Sequence, residues 1–419
     1  MSNTSLKQPI VSISTKVSAK QPWRRWLLAF DGYNTSTNLA FASAIWVIYL
    51  ATHGYSAFAI GLLEMLFHIA KFVAEVPTGI FADLMGRRKS LIVYSVLGAI
   101  QQLLFLAPAL LPCIIASFVL SGIAYAFRGG AEEAVLWTLA GYADPDQQAA
   151  RYSKLVSRMF MLGMLAELVG TTVGGYLGSI LQILPFICQA IMSLIAIVPL
   201  LLIPEQKAIS NQQEHINPLR HFGAGIRAVW QNPTLMGLLL ISGLIEGGGT
   251  TIYFFYQLDL HGLGFSLAAI GLIVAVGKGT NFLFTALAPR TMRALPQRWL
   301  VPTFFLAQIL SLLLMSMQQP ALSLLGYLVF SQAANAILTP ALSTYINGHS
   351  PEQQRATVLS LQTGLFSATM IVLFPLFGLG VSYVSYSIVY LWTLAALISG
   401  SLIILGGVWT IKRFRHKEI

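Results

Sequence analysis

The sequence predicts an all-α polytopic membrane protein with twelve transmembrane helices, arranged as two pseudo-symmetric six-helix bundles. Three observations predict it: a low fraction of charged residues, apolar runs of membrane-spanning length, and short segments of similar sequence in the two halves. Of the 419 residues, 56% are hydrophobic and only 10% are charged, and the mean hydropathy is +0.72. A soluble domain usually carries about 25% charged residues. Most of this chain is therefore expected to lie in lipid.

Apolar runs of about 20 residues recur along the chain, and each is long enough to cross a hydrocarbon core of roughly 30 Å. None of them alternates apolar and polar residues as the strands of a β-barrel do, so the runs predict helices. In order, the predicted spans one to twelve are 26–51, 58–82, 90–110, 113–140, 153–179, 182–203, 234–257, 266–289, 299–317, 320–346, 355–380 and 385–410.

The longest and most polar connection, 204–233, follows span six and divides the spans equally. It predicts an N-terminal bundle at 26–203 and a C-terminal bundle at 234–411, with tails at 1–25 and 412–419. The first tail has no apolar stretch of the kind found in a cleavable signal peptide, so we expect a cytoplasmic tail.

Two pairs of segments are similar in sequence, and the members of each pair are separated by about half the chain length. "DPDQQAAR" at 144–151 resembles "SPEQQRAT" at 350–357, and "HGYSAFAIGL" at 53–62 resembles "HGLGFSLAAIGL" at 261–272. Internal repeats of this kind are typical of secondary transporters, whose sites lie between the repeats near the bilayer midplane.

The net charge of +10 is interpreted as a topology signal and not as a nucleic-acid site. Lys and Arg concentrate in the two tails and the even-numbered connections, with Lys71, Arg128 and Lys278 inside spans. Because these residues accumulate on the cytoplasmic side, both termini are predicted to be cytoplasmic. Cys113 and Cys188 lie in or near spans and indicate neither a disulfide nor a metal site. No cofactor is expected.

The connection after span two reads "GIFADLMGRRKS" and carries Gly79, Asp83, Gly86, Arg87 and Arg88. It resembles the G-x-x-A-D-x-x-G-R-[RK] signature of the major facilitator superfamily, at the place where that family carries it. The resemblance covers essentially the whole chain and implies a small-molecule transporter, not an enzyme. It further implies a protein of the bacterial inner membrane, in contact with the bilayer, that works as a monomer.

The same resemblance gives the connection a role as a cytoplasmic gate motif. Gly79 has no Cβ, so a neighbouring helix could pack close to span two. Asp83 would face the N-terminus of span eleven, where an anion is favoured, and latch the halves together. A basic loop that only sets the topology is the alternative.

Two weaker resemblances lie in spans four and five. "AELVGTTVGGYL" at 166–177 is similar to the family's antiporter motif G-P-x-x-G-G-x-L, with Thr171 in place of the proline. Close helix packing explains its glycines almost as well. In "YAFRGGAEEA", Arg128 resembles the lone arginine of the family's span-four motif.

Ionisable residues inside spans cost about 2.5–3.5 kcal/mol each on insertion scales, so they normally face a cavity or a partner. A proton-coupled transporter needs a carboxylate that gains and loses a proton near neutral pH, which burial can provide. Permanent structural ion pairs are the alternative for each residue. The proton-coupling candidates are Glu132, Glu246, Glu167, Glu75 and Asp31.

A seam of four ionisable residues in span two predicts one wall of a water-accessible cavity. Glu64, His68, Lys71 and Glu75 follow each other at intervals of four, three and four, so they share one face of a helix. In the family's architecture, the third helix of each three-helix unit supports the cavity from outside. The substrate-cavity candidates are Glu64, His68, Lys71, Tyr125, Arg128 and Lys278.

The chain resembles the bacterial twelve-helix drug/proton antiporters of the family, and this resemblance implies proton-coupled export of amphipathic or lipophilic organic compounds by alternating access. One alternative is proton-coupled uptake of an anionic small solute bound by Lys71, Arg128 and Lys278. A lipid scramblase or a membrane-embedded enzyme is the alternative from another class, although no metal spacing or serine-nucleophile motif supports an enzyme.

Overall fold

The computed structural model describes residues 23–205, 226–227, 229–350 and 355–415, and within these ranges it contains helices and no strand. Most spans are single helices. These are span two (Ala57–Met85), three (Arg87–Leu104), five (Gln148–Ile180), seven (Pro233–Gly262), eight (Leu267–Ala294), nine (Gln297–Ser316), eleven (Arg355–Tyr383) and twelve (Tyr386–Arg415). Span six has two segments, Leu184–Ile195 and Ile197–Leu202, and span ten runs from Pro320 to His349 through a π-helical turn, Gly326–Ser331.

Ten helices among the described residues are long and apolar enough to cross a membrane. Spans one and three do not meet this criterion of length and hydropathy, each because of its local sequence or structure. Span three begins with Arg87, Arg88 and Lys89, and span one is divided into short segments. The connection 204–233 lies largely outside the described residues, so the predicted domain boundaries stay a prediction.

Span one is broken, where the sequence predicts one run at 26–51. Its segments Trp23–Asn38 and Trp46–Thr52 are joined through a 3-10 turn, Phe41–Ala44. The Oε1 of Gln189 accepts a hydrogen bond of 2.8 Å from the backbone N–H of Phe41. A backbone group freed by such a break needs a partner inside a membrane. The interruption is therefore supported by span six.

Span four is also broken, at Gly129 and Gly130. Its segments are Leu111–Arg128 and Ala131–Ala143, and Gly130 has a φ of +70°, which favours glycine. Arg128 ends one segment, and Glu132 lies in the first turn of the next. A cation at a helix C-terminus and an anion at an N-terminus both suit the helix dipoles.

The two bundles contact each other most closely at one end of the molecule. We call the end that carries the connection 79–89 the motif end, and the opposite end the far end. Near the far end, a Cβ on Gly175 of span five would lie 2.6 Å from the Cα of Gly271 of span eight. A Cβ on Gly61 of span two would lie 2.7 Å from the Cα of Pro375 of span eleven. Glycines thus allow the backbones of the two halves to touch.

At the motif end, the glycines have roles that differ from the prediction. A Cβ on Gly79 would meet nothing within 4 Å, so no helix packs closely against it in this conformation. Gly86 has a φ of +103°, and a Cβ there would collide with the side chain of Glu205 at 2.0 Å. The sharp turn between spans two and three therefore requires Gly86, not Gly79.

Candidate functional site

A central cavity of about 460 Å³, here called the chamber, lies near the middle of the spans. Its volume is within the range of sites for drug-sized molecules. Residues of the first bundle form most of its wall, and spans seven and eleven close it through Thr250, Tyr253, Phe254 and Phe366. The chamber is thus set mainly into the first bundle, where the sequence predicts a cleft shared by both.

Three members of the span-two seam, Glu64, His68 and Lys71, line the chamber, as the helical spacing predicts. Glu75 departs from the prediction, because it is exposed and outside the lining. It lies one turn beyond Lys71 toward the motif end, past the floor of the chamber.

Spans three and six contribute polar groups to the chamber, although the family's architecture assigns them a supporting role. Gln101 and Gln102 come from span three, and Gln189 and Ser193 from span six. The buried Oε1 of Gln102 has no hydrogen-bond partner among the described residues. These helices therefore form part of the site.

Glu64 and His68 are buried ionisable residues of the chamber wall. Glu64 is 8% exposed and His68 is 3% exposed. The Nε2 of His68 lies 3.7 Å from the Oε1 of Glu64, one helical turn away. The Nδ1 of His68 has no hydrogen-bond partner in the part of the chain that the structure describes.

Aromatic rings form the remaining wall. The ring of Trp46 meets Phe118 edge to face at 5.5 Å between centroids and Phe254, in the other bundle, at 5.2 Å. Phe67 meets Tyr125 at 5.5 Å in the same way. Such rings present apolar faces to a ligand beside the amide and hydroxyl groups.

An ion pair joins the two bundles beside the chamber. The Nζ of Lys278 in span eight lies 2.5 Å from the Oε1 of Glu167 in span five. The same Nζ stands 4.7 Å from the ring centroid of Tyr253, whose hydroxyl is 2.9 Å from the Oγ of Ser43. Glu167 and Tyr253 line both the chamber and a smaller cavity of about 220 Å³ that also contains Lys278.

Arg128 lies next to the chamber but outside its lining, where the sequence predicts a cavity residue. Its Nε donates to the Oε1 of Glu132 at 2.7 Å, across the break in span four. Its other nitrogens donate to Asn38 at 3.3 Å and Tyr94 at 3.4 Å, and the hydroxyl of Tyr33 donates to Glu132 at 2.9 Å. This network ties the interrupted spans one and four together.

The remaining proton-coupling candidates are also outside the chamber lining. Asp31 accepts a hydrogen bond of 2.5 Å from Arg158 of span five. Glu246 accepts from Ser242 at 3.1 Å and from Gln362 of span eleven at 3.4 Å. The glycines that follow Glu246 do not interrupt span seven, which is helical throughout.

The acid of the gate motif, Asp83, is exposed in this conformation. Asp83 is 58% exposed and pairs with Arg87 on the neighbouring helix. Arg88 donates to Glu205 at 3.1 Å and to the carbonyl of Ile203 at 2.9 Å, so it holds spans three and six together. The predicted partner of Asp83 is the N-terminus of span eleven, and the residues just before that helix, 351–354, lie outside the described residues, so the latch stays a prediction.

Sequence reasoning missed a buried acid, Asp259. Its Oδ2 accepts hydrogen bonds from Tyr390 at 2.8 Å and from Gln318 at 3.3 Å. The predicted span seven stops at residue 257, whereas the helix continues to Gly262. Extending that helix by one turn would have identified Asp259 as an embedded carboxylate.

Comparison with known proteins identifies one family whose model matches this chain. The model of the Major Facilitator Superfamily matches residues 27–332. A relative from Bacillus subtilis (strain 168), the uncharacterized MFS-type transporter YxaM, is 24% identical over 349 residues, which cover 80% of this chain and 84% of the relative.

Solved structures share the fold. A mutant of the nucleoside transporter NupG has a TM-score of 0.78 at 15% identity, covering 91% of this chain and 99% of that one. The D-xylose-proton symporter has a TM-score of 0.68 at 15% identity, covering 90% of this chain and 96% of that one. At such low identity, the likeness concerns the fold alone.

Proposed function

The chain belongs to the major facilitator superfamily, and from that membership we propose that it exports an amphipathic organic solute in exchange for protons. It is a transporter of small molecules and spans the membrane many times. The direction, the coupling ion and the solute class are the proposal, and alternating access between the two bundles is its mechanism.

The single observation that carries the proposal is the chamber. Rings such as Trp46 and Phe118 suit the apolar face of a solute, while Gln101, Gln189 and Ser193 suit its polar groups. An amphipathic organic molecule matches both kinds of wall, and about 460 Å³ accommodates one of drug size.

The side of the membrane from which a solute reaches the chamber depends on where the bundles touch. The close contacts between them, at Gly61 and Gly175, lie on the far side of the chamber. With both termini cytoplasmic, as the distribution of Lys and Arg predicts, the motif end faces the cytoplasm. An exporter would load its solute in this conformation and an importer would release its solute in it, so export itself remains the proposal.

Coupling would use the embedded acids. Glu167 is held by Lys278 across the bundle interface, so a proton or a charged solute that reaches Glu167 would weaken the contact between the halves. Glu132, Glu246 and Asp31 each have a hydrogen-bonding partner that could respond in the same way. An acid whose partner changes with conformation is the element that such coupling needs.

The test uses purified protein in liposomes with ethidium as the probe. An inside-acid gradient should drive ethidium into vesicles through the inverted molecules, with protons leaving, and an uncoupler should abolish both fluxes. Protein-free liposomes are the control. Ethidium flux that is indifferent to the gradient would contradict proton exchange, and lipid flipping without a gradient would favour a scramblase.

Uptake of an anionic solute is the second candidate, because Lys71 is a cation in the chamber wall. Accumulation of an organic anion that is driven by an inward proton gradient, with no flux of ethidium, would favour it. Changing Lys71 to Met should then abolish anion transport, because the binding cation is lost.

A further inference from the structure

We propose that Glu64 and His68 form a further proton-binding site of this protein, in addition to the embedded acids named above, set in the chamber wall inside the first bundle. Its use in transport rests on the proposed function, but the site itself is a property of the protein without solute. It differs from the five carboxylates that the sequence favours, because it combines a place in the chamber with the lack of a strong counter-charge.

The chamber gives protons access to Glu64 and His68. Both residues line the chamber, so a proton can reach them through water in that cavity. Both are more than nine-tenths buried, and the Nδ1 of His68 is an unpartnered polar atom at this site among the described residues. A buried polar atom without a partner is uncommon and indicates an exchangeable water, proton or ligand.

Glu64 also differs from the other acid of the chamber in its counter-charge. Among the described residues, the ion pair of Glu64 is with His68 alone. By contrast, the other acid of the chamber, Glu167, is 2.5 Å from Lys278. A permanent cation favours the ionised carboxylate, whereas a histidine can itself carry or release a proton. Glu64 is therefore the chamber acid best placed to exchange one.

Charged and titratable groups surround the Glu64–His68 pair on several spans. Span eleven packs against span two, and the ring centroid of its Phe366 lies 5.6 Å from that of His68. The side chains of span eleven that the structure describes, from residue 358 on, include no acid or base except Tyr383. The neighbouring groups that line the chamber are Lys71 on span two, Tyr94 on span three, Tyr125 on span four, Glu167 on span five and Tyr253 on span seven. Lys71 is thus the one fixed cation in the chamber lining.

The proton step balances within the pair. The O–H bond of protonated Glu64 breaks, and the proton passes to the Nε2 of His68, directly after a small approach or through one water. The imidazolium then releases the proton on its Nδ1 to water once the ring becomes exposed. One proton moves from Glu64 to solvent, and the carboxylate remains until it is reprotonated.

Contact with span eleven connects this site to the conformational cycle. Phe366 belongs to the second bundle, so its ring leaves His68 when the halves rearrange. Exposure of the pair to water then differs between the two states. A proton site with state-dependent access is what exchange between solute and proton requires.

Infrared difference spectra of the purified protein test the site, recorded between mildly acidic and mildly alkaline buffer. The band of a protonated carboxyl should contain a component that is lost in Glu64→Gln and shifted in Glu64→Asp. Asp259→Asn is the matched control, since Asp259 is another buried acid hydrogen-bonded by neutral groups, and it should keep that component. In His68→Asn, the component should shift because the polar side chain that lies 3.7 Å from Glu64 is changed.

Survival of the full band in Glu64→Gln overturns the proposal. Where Glu64→Gln does not yield folded protein, an unshifted band in Glu64→Asp overturns it equally. Ethidium-driven proton flux separates the two proposals: a native protein with the Glu64 band and no flux contradicts only the proposed function. Full proton-coupled flux in a folded Glu64→Gln protein overturns the coupling role of Glu64.

Discussion

At the scale of single residues, most of the embedded charges are held by partners that lie far away in sequence or across a helix break. A charge in a low-dielectric surrounding is costly unless a counter-ion and hydrogen bonds compensate it. The pairs are Arg128 with Glu132, Lys278 with Glu167 and Arg158 with Asp31, at 2.7, 2.5 and 2.5 Å. Each partner therefore compensates the charge of the other.

The pair at the break in span four should contribute to stability. Replacing Arg128 by Met leaves the buried Glu132 with the hydroxyl of Tyr33 and no cation. We expect a loss of about 3–5 kcal/mol in the free energy of unfolding, as for other buried pairs that lose one member. Denaturant unfolding in detergent measures it.

A double variant, Arg128→Met with Glu132→Leu, is the control for this prediction. It removes both charges and should recover much of the stability, because no uncompensated ion remains. A single variant as stable as the native protein would show that the ion pair is not needed for the fold.

The Lys278–Glu167 pair is expected to hold the far end closed. Replacing Lys278 by Met should lengthen the distance between spin labels at positions 53 and 261, which are exposed at the far end of the two bundles. Electron paramagnetic resonance measures that distance after Cys113 and Cys188 are replaced by Ser.

Two further variants make this measurement specific. Exchanging the charges, with Glu167→Lys and Lys278→Glu together, should restore the native distance. Arg158→Met breaks an ion pair inside the first bundle and should leave the distance unchanged. If Lys278→Met gives the native distribution, the pair does not control closure.

At the scale of elements, the break in span one is filled by a neighbouring helix. The turn at residues 41–44 approaches span five so closely that a Cβ on Gly174 would lie 1.9 Å from the carbonyl oxygen of Phe41. The next glycine, Gly175, faces the other way, against Gly271 of span eight. One helix therefore supports its own bundle with one glycine and the bundle interface with the next.

These adjacent glycines should respond differently to alanine. Gly174→Ala should lower the thermal stability of the protein, because the collision lies inside the first bundle. Gly175→Ala should leave the bundles folded but open the far end, since separating spans five and eight relieves its collision. Thermal unfolding measures the first effect, and the distance between labels at positions 53 and 261 measures the second.

Gly79→Ala is the matched control, because a Cβ there meets nothing within 4 Å. It should leave both measurements at their native values. An identical effect of Gly174→Ala and Gly175→Ala on both measurements would contradict the division of roles within span five.

At the scale of the whole molecule, the bundles touch at the far end while Asp83 at the motif end is exposed. Its pair with Arg87 joins neighbouring helices at the surface, and such pairs contribute about 0.3–0.5 kcal/mol. Asp83 therefore adds little to the conformation described here. Its predicted role as a latch belongs to the state in which the motif ends meet.

Asp83→Asn should therefore act on the other state. We expect a lower population of molecules with a short distance between labels at the exposed positions 89 and 290, and slower transport with little change in solute binding. Distance measurements and ethidium binding test the two parts. An equal loss of binding and transport would contradict the gating role.

Much of the fold was predictable because the membrane constrains the sequence strongly. Each pass needs about 20 apolar residues, so the spans are visible in hydropathy alone. The breaks in spans one and four were not, because hydropathy averaged over a whole span does not register an interruption of a few residues. Only Gly129 and Gly130 gave a local signal, and the predicted span four ran through them.

Less of the candidate site was predictable. Helical spacing placed Glu64, His68 and Lys71 together correctly, because neighbours on one helix face depend on local geometry alone. It also included Glu75, since periodicity does not tell where along a helix a cavity ends. Partners from other helices, such as Gln102 and Gln189, have no signal in the spacing of span two.

The sequence by itself determined the class of protein, the number of membrane passes and the chemical types of the embedded groups. Those properties follow from the free energy of transfer into lipid, which each segment determines for itself. Only the tertiary structure decided which acid meets which base, where the chamber lies, and which end of the molecule is closed. These depend on the rotation and depth of helices that are more than 90 residues apart in pairs such as Tyr33 with Glu132 and Lys278 with Glu167. No local pattern encodes such contacts, because they arise only when the bundles pack.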